Sequence, residues 1–129
     1  MLKIGTCGFP VARNRYYRDF SVVEVQKTFY EPPSQETLKK WRDEAPEGFE
    51  FTLKAWQIIT HPFTSPTYRR TKSIYGNTDN YGFFRDTQEV YQAWERTRLV
   101  AEVLKAEIIL FQTPSSFKPT DENIKNMEG

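Results

Sequence analysis

The stretch VEVQKTFYEPP, residues 23–33, decides the interpretation of the fold. Apolar and polar side chains alternate along it, as expected for a β-strand whose two faces differ in environment, and the double proline ends the run. We therefore predict a strand over residues 22–30. Its polar side chains face either solvent or an enclosed interior, and the segments on both sides distinguish these alternatives. The polar set consists of Glu24, Gln26 and Thr28.

Three further strands are predicted, and helical patterns separate them. The strands are LKIGTC (2–7), FEFTLKAWQIIT (49–60) and EIILFQTP (107–114). Ser34 is a favourable N-cap for a helix over 34–45, and apolar residues spaced by three and four predict a long helix over 87–106. A further helix is predicted in TDENIKNMEG (120–129). Residues 11–20 are predicted to form a short connection whose Arg13, Arg15 and Arg18 would make the rim locally positive.

Strands that alternate with helices predict an α/β fold with parallel pairing through crossover connections and both faces of the sheet covered. One face would pack on the helices, through Val23, Val25, Phe29, Phe49, Phe51 and Leu53. The other faces would point into a common interior, as in a (β/α) barrel. That interior would collect Glu24, Gln26, Thr28, Thr52, Lys54 and Gln112. Two explanations of this set remain open, a hydrogen-bonded polar barrel floor and a ligand site.

The composition limits the class of protein. A chain of 129 residues suits one domain, and ten Phe, seven Tyr and three Trp supply area for a core. The formal net charge of +1 provides no overall attraction to nucleic acid or to an anionic membrane, so any basic site must be local. Cys7, the single cysteine, cannot form an internal disulfide, and no apolar run approaches a membrane span. We expect a cytoplasmic protein without a membrane partner.

Six segments carry a resemblance to a known family. IGTCGF, VEVQKTFY, FEFTLKAWQIITH and LFQTPSSF resemble, in that order, the strand motifs of the DUF72 or YecE-like proteins, and PTYRR and AWERT are similar to the archaeal-type members. The resemblance extends from Leu2 to about Asn126. It implies a TIM-barrel-like fold, in a family whose biochemical function is unknown. The recurrent polar residues of the family would correspond to Thr6, Glu24, Thr28, Tyr30, Lys54, Thr60, His61 and Gln112.

The chain departs from the family pattern at two positions and in length. Position 26 is Gln where many members have Asn, and position 7 is Cys where many have Ser. A complete barrel takes about 250 residues, whereas residues 1–129 would hold about four β/α units. We therefore expect one domain over 1–129 that is equivalent to the N-terminal half of such a barrel, as a fragment or as a natural half. An incomplete barrel would self-associate or need a second chain to complete it.

Glu24 and Lys54 are the central candidates for chemistry, because they would lie on adjacent strands of the inner face. They would form either an acid/base or Schiff-base pair or a structural ion pair, and Lys54 could equally hold an anionic ligand. His61, the only histidine, follows the third predicted strand at the rim where the catalytic groups of barrels gather. It is a candidate general base or a loop-packing residue. A metal would require ligands beyond these, and no metal site is predicted.

Residues 61–87 form a long segment without a periodic pattern, which predicts a functional loop. We expect residues 62–86 to lie over the barrel mouth. Their basic and aromatic side chains suit either anion binding through Arg69 or Arg70, or packing of the aromatic rings on the mouth.

The favoured function is an enzyme that binds a small anionic substrate, phosphorylated or sugar-like, at the C-terminal rim of the barrel. Glu24, Lys54 and His61 would be catalytic. Six residues would bind the substrate: Thr6, Thr28, Tyr30, Arg69, Arg70 and Gln112. No cofactor is identified. One alternative is a nucleic-acid-binding protein or nuclease that uses the Arg/Tyr-rich loop, although nucleic acid is the less favoured partner, and another is a non-catalytic half-barrel that serves as an interaction module.

Overall fold

A computed structural model describes residues 5–9, 13–114, 117 and 119–128. Strands alternate with helices along the chain. The strands are β1 (Gly5–Cys7), β2 (Val22–Val25), β3 (Glu50–Lys54) and β4 (Ile108–Leu110). The α-helices are α1 (Arg13–Asp19), α2 (Lys27–Tyr30), α3 (Gln35–Glu44), α4 (Gln57–Thr60), α5 (Gln88–Leu104) and α6 (Asp121–Glu128). Two 3-10 helices, Pro66–Arg70 and Thr78–Asn80, lie between α4 and α5.

The four strands form one parallel sheet in the order β1-β2-β3-β4. Val23 is the register partner of Thr6 on one side and of Phe51 on the other, and Lys54 is the partner of Leu110. The predicted α/β class and the parallel pairing are therefore confirmed. The sheet is not closed, so β1 and β4 are its two edges within the described residues.

The predicted strand over 22–30 is wrong in its second half, because β2 ends at Val25 and the chain then enters the one-turn helix α2. Gln26 has an αR conformation at the N-cap of this helix. The buried Thr28 hydroxyl lies 2.7 Å from the Lys54 carbonyl oxygen and 3.2 Å from that of Val25. Thr28 and Tyr30 therefore belong to a helix that follows the strand, not to the inner face of the sheet.

The predicted strand over 49–60 is too long for a similar reason. β3 ends at Lys54, and Gln57–Thr60 form the fully buried helix α4. A short buried helix has no apolar periodicity that separates it from a strand. The prediction over 107–114 was also too long, since β4 comprises Ile108–Leu110. Of the predicted first strand over 2–7, residues 2–4 lie outside the described residues.

The helix-facing side of the sheet forms the main core. Val23, Val25, Phe51 and Leu53 are buried, whereas the residues that alternate with them are half-buried, which confirms the predicted faces of β2 and β3. The helices α1, α3 and α5 cover the buried face through Tyr16, Tyr17, Leu38, Trp41, Val100, Ala101 and Leu104.

A second hydrophobic cluster lies around α4, the N-terminal half of α5 and the segment 62–86. Tyr68 and Tyr81 of this segment are buried in it. Ile109 of β4 packs against both clusters. The long segment is therefore ordered by its own core.

Among the described residues, no helix combines the length and the apolar character that crossing a bilayer requires.

Candidate functional site

Lys54 stands at the carboxyl end of β3, on the side of the sheet away from the helices. Its ammonium donates a hydrogen bond to Oε1 of Gln112, at 2.6 Å, and lies 6.0 Å from the centroid of the Phe29 ring. Neither neighbour carries a negative charge. None of the ion pairs among the described residues includes Lys54. Two predicted site residues, Lys54 and Gln112, are thus brought together, and the positive charge is held by neutral groups.

Glu24 lies on the same face as Lys54, on the neighbouring strand. Its register partner is Thr52, two residues before Lys54, so the two side chains are diagonal neighbours. Glu24 is half-buried, as is Lys54. The inner face therefore presents one carboxylate and one amine at adjacent strands, as the alternation along β2 and β3 predicted.

His61 caps the C-terminal end of α4 and is buried. Burial lowers the pKa of its imidazole, so the ring is neutral near neutral pH. Its Nδ1 lies 2.7 Å from the hydroxyl of the equally buried Thr60. In the tautomer whose Nδ1 carries the proton and donates to Thr60, the Nε2 atom of the neutral imidazole is able to accept a proton.

The ring of Phe29 connects the surroundings of Lys54 and His61. Its centroid lies 5.0 Å from that of the His61 ring, in an edge-on arrangement, and 6.0 Å from the Lys54 ammonium. The alternating pattern predicts Phe29 on the helix-facing side of a strand, and this prediction is wrong because Phe29 belongs to helix α2. A one-turn helix after β2 has no signal in the alternating pattern, so this residue was missed.

Three hydroxyl-bearing candidates have hydrogen bonds within the fold. Thr6 lies on the core side of β1, and its backbone N–H donates to the Tyr16 hydroxyl at 2.8 Å. Thr28 joins the ends of β2 and β3, as described above. The backbone carbonyl of Tyr30 accepts from the Trp56 indole at 3.2 Å and from the Thr71 hydroxyl. Substrate binding by these residues stays a prediction, and their described contacts hold the rim together.

Arg69 and Arg70 are exposed at the end of the first 3-10 helix. The Arg70 guanidinium lies 3.9 Å from the centroid of the Tyr30 ring, close enough for a cation–π interaction. This contact keeps one guanidinium beside the end of α2. Of Arg69 and Arg70, it is therefore Arg70 whose guanidinium is held next to Tyr30.

The carboxylate of Glu31 anchors the segment 62–86. It accepts hydrogen bonds from the backbone N–H groups of Lys72 and Ser73, at 2.8 and 2.9 Å, and from the Ser73 hydroxyl. Burial alone would raise the pKa of Glu31, but these hydrogen bonds and the charge of Arg96 lower it below its usual value. A charged Glu31 thus stabilises the observed path of the chain.

The aromatic residues of the segment pack inward. Tyr68 and Tyr81 are buried, and burial raises the pKa of Tyr68, Tyr75 and Tyr81. The Tyr68 hydroxyl donates to the carbonyl of His61 at 2.7 Å. These rings support the backbone around His61, whereas Arg69 and Arg70 of the same segment are exposed.

The arginines near the N-terminus do not form a basic loop. Residues Arg13–Asp19 form helix α1, and the Arg13 guanidinium pairs with Glu44 of α3 at 3.0 Å. The expectation that this connection makes the rim positive is therefore wrong for Arg13.

Within the described ranges, no three His, Cys, Asp or Glu side chains come together in a way that could hold a metal ion.

The family comparison agrees with this architecture. The sequence model of a family described as "Protein of unknown function DUF72" matches residues 12–129. The chain belongs to the DUF72 family. No curated protein matches it. Among solved structures, this DUF72 chain is similar to a DUF72 family protein from Enterococcus faecalis V583, in two crystal structures, with a TM-score of 0.69 and an identity of 22% or 19%.

The aligned region covers 99% of this DUF72 chain and 45% of the Enterococcus protein. The chain therefore spans less than half the length of that relative. At such low identity the likeness shows the fold, which is a partial TIM-barrel-like sheet with alternating helices. In a barrel of this kind, the ends of β2, β3 and β4 would line the C-terminal rim.

Proposed function

We propose that this DUF72 chain contributes the site of an enzyme for a small anionic substrate, phosphorylated or sugar-like, at the carboxyl ends of β2, β3 and β4. The observation that carries the proposal is Lys54, a half-buried residue whose ammonium is held by the neutral amide of Gln112. A cation that takes part in none of the ion pairs of the described residues favours an anionic ligand, because the ligand supplies a counter-charge.

The other residues have roles that follow from their positions. Glu24, on the same face as Lys54, would exchange a proton with the substrate, and His61 would act as a general base because burial keeps it neutral. Gln112 would hold the ammonium towards the ligand. Arg70, stacked on Tyr30, would add a second positive charge at the rim.

A thermal-shift titration with inorganic phosphate and with a sugar phosphate tests the anion site. Replacement of Lys54 with Met preserves the length of the side chain and removes its charge, whereas Lys39→Met makes the same change at an exposed position of α3. We expect wild type and Lys39→Met to be stabilised by about 2.7 kcal/mol at a ligand concentration of 100 Kd. Lys54→Met should show no stabilisation, and equal stabilisation of Lys54→Met would contradict the proposal.

Binding of single-stranded nucleic acid is the second candidate, and the exposed Arg70 stacked on the half-buried Tyr30 favours it. The two candidates differ in their response to salt. Affinity that comes from several phosphate contacts falls steeply as salt rises, whereas a half-buried small-ligand site responds much less. Charge reversal at both Arg69 and Arg70 should abolish anion binding without unfolding the domain, and binding that survives this change would limit the loop to a packing role.

A further inference from the structure

A second concave surface lies between the end of the segment 62–86, the first turns of α5 and the last turn of α6. This cleft has a volume of about 700 Å³, within the range of ligand pockets. Phe111, which follows β4, forms part of its wall. The next residue along the chain is Gln112, which holds Lys54. The cleft and the Lys54 face are therefore separate sites that share one short piece of chain.

Aromatic rings form the walls of the cleft. The Phe111 ring lies 5.6 Å from the ring of Phe84 and 6.0 Å from that of Trp94, measured between centroids. Met127 of α6 completes the apolar lining and is exposed. Rings and a thioether make a surface that suits a flat apolar group, because both stack well on π systems.

The backbone that carries Phe84 is in an unfavourable conformation. Phe83 and Phe84 have φ angles of 55° and 53°, in the left-handed region that residues other than glycine seldom adopt. Their N–H groups cap helix α4, since they donate to the carbonyls of Thr60 and Ile59 at 3.1 and 2.9 Å. Two consecutive bulky residues in the left-handed conformation raise the free energy of the folded state, and such conformations concentrate at ligand sites. Here the conformation places an aromatic wall beside α5.

The charges in the lining favour an anion. Arg85 and Lys125 supply two positive charges, and Asp86 supplies one negative charge. The Asp86 carboxylate lies close enough to the hydroxyl of Tyr91 to raise the pKa of that hydroxyl. The cleft thus combines an apolar aromatic interior with an excess of positive charge among its lining residues.

We propose that this cleft binds a small, flat apolar molecule that carries an anionic group, such as an aromatic acid. The rings of Phe84, Trp94 and Phe111 would hold the flat part, and Lys125 with Arg85 would hold the acidic group. This inference does not depend on the proposed anion site at Lys54.

A fluorescence titration with anilinonaphthalene sulfonate tests the proposal, because this probe is a flat aromatic anion. N-phenylnaphthylamine is the matched neutral probe, since it has the same rings and lacks the sulfonate. Two variants change the cleft, Lys125→Glu at its edge and Met127→Asp in its wall. Their controls place the same changes at exposed positions outside the lining, Lys39→Glu on α3 and Ile74→Asp in the long segment.

We expect saturable binding of one sulfonate probe per chain, with weaker binding of the neutral probe. Lys125→Glu should weaken binding of the sulfonate by about three- to tenfold, as expected for an exposed charge near the ligand. Met127→Asp should weaken binding of both probes, while both controls leave it unchanged. Equal affinity for the two probes, or equal losses in the variants and their controls, would overturn the proposal.

Discussion

At the scale of single residues, Gly82 has a strict steric requirement. Its φ is 83°, and a Cβ atom at this position would lie 2.3 Å from the carbonyl carbon of His61. Its N–H donates to the carbonyl of Ile58 at 2.8 Å, so the close approach is part of the cap of α4. Glycine is needed here both for the backbone angle and for the absence of a side chain.

Replacement of Gly82 with Ala should lower the free energy of unfolding by about 3 kcal/mol, because a backbone strain and a steric clash combine. Gly48→Ala is the matched control, since Gly48 has a similar φ of 87° and open space around it. We expect this control to cost only about 1 kcal/mol. Urea denaturation of the two variants measures the difference, and equal losses would show that the contact with His61 is unimportant.

The imidazole of His61 should make stability depend on pH. Because burial lowers its pKa in the folded state below the usual value of 6.5, the unfolded chain binds more protons between the two values. The contribution of His61 is therefore fully present above pH 6.5 and is lost as pH falls through the folded pKa. We expect His61→Gln to flatten the pH dependence of Tm in this acidic range. An unchanged slope in the variant would mean that His61 does not titrate differently on unfolding.

At the scale of elements, the segment 62–86 is held by carboxylates from outside it. Glu31 binds its middle, and Glu89 of α5 accepts from the Asn77 N–H at 2.8 Å and from the Asn80 amide at 3.1 Å. The Tyr75 hydroxyl also donates to the backbone carbonyl of Glu89. The long segment has its path fixed at two points and its rings in a core, so it is a structured part of the rim.

Replacement of Glu31 with Gln should loosen the middle of this segment. The amide N–H groups of Lys72 and Ser73 lose a charged acceptor, so their hydrogen exchange should become about tenfold faster. Lowering the pH has the same effect, since the stabilisation is present above the usual pKa of 4.5 and is lost as pH falls through the lower folded pKa. Glu47→Gln, in an exposed turn, is the control, and exchange rates at 72 and 73 that do not change would contradict the anchoring role.

The elements also show how far the sequence predicts the fold. Period-two burial identified the faces of β2 and β3, because side chains on a strand alternate strictly between two environments. The same period could not show where the strands end. Lys27–Tyr30 and Gln57–Thr60 are single helical turns, too short for a period of 3.6 to emerge, and their path depends on distant hydrogen bonds such as that from Thr28 to Lys54. The order of the predicted strands was enough to bring Lys54 and Gln112 together. The aromatic cleft, in contrast, has no pattern in the local sequence that predicts it.

At the scale of the whole molecule, the inner face and one edge of the sheet are uncovered within the described residues. Ile108 and Leu110 of β4 are 55% and 44% exposed on the same face as Lys54. About eight strands are needed before side chains fill the interior of a barrel, and the described sheet has four. An uncovered edge beside an apolar face favours association with another chain.

We therefore expect the 129-residue chain to self-associate, or to require a second chain that completes the barrel. Light scattering at micromolar concentration measures this. Replacement of Ile108 and Leu110 with Lys should shift the chain towards monomer, whereas Leu99→Lys, at an exposed apolar position of α5, should not. A wild-type chain that is monomeric and unfolds in one sharp transition would contradict this expectation.

The position of Ile109 has a consequence for how the molecule unfolds. The two hydrophobic clusters are natural cooperative units, and Ile109 is a side chain that packs against both. Shortening it to Ala should weaken the thermodynamic coupling between them, so that the amides around α4 and the segment 62–86 exchange through a separate, lower-energy opening. Hydrogen exchange of the amides in β2 and β3 would then report global unfolding. The rim that carries His61 would unfold and refold as a separate cooperative unit.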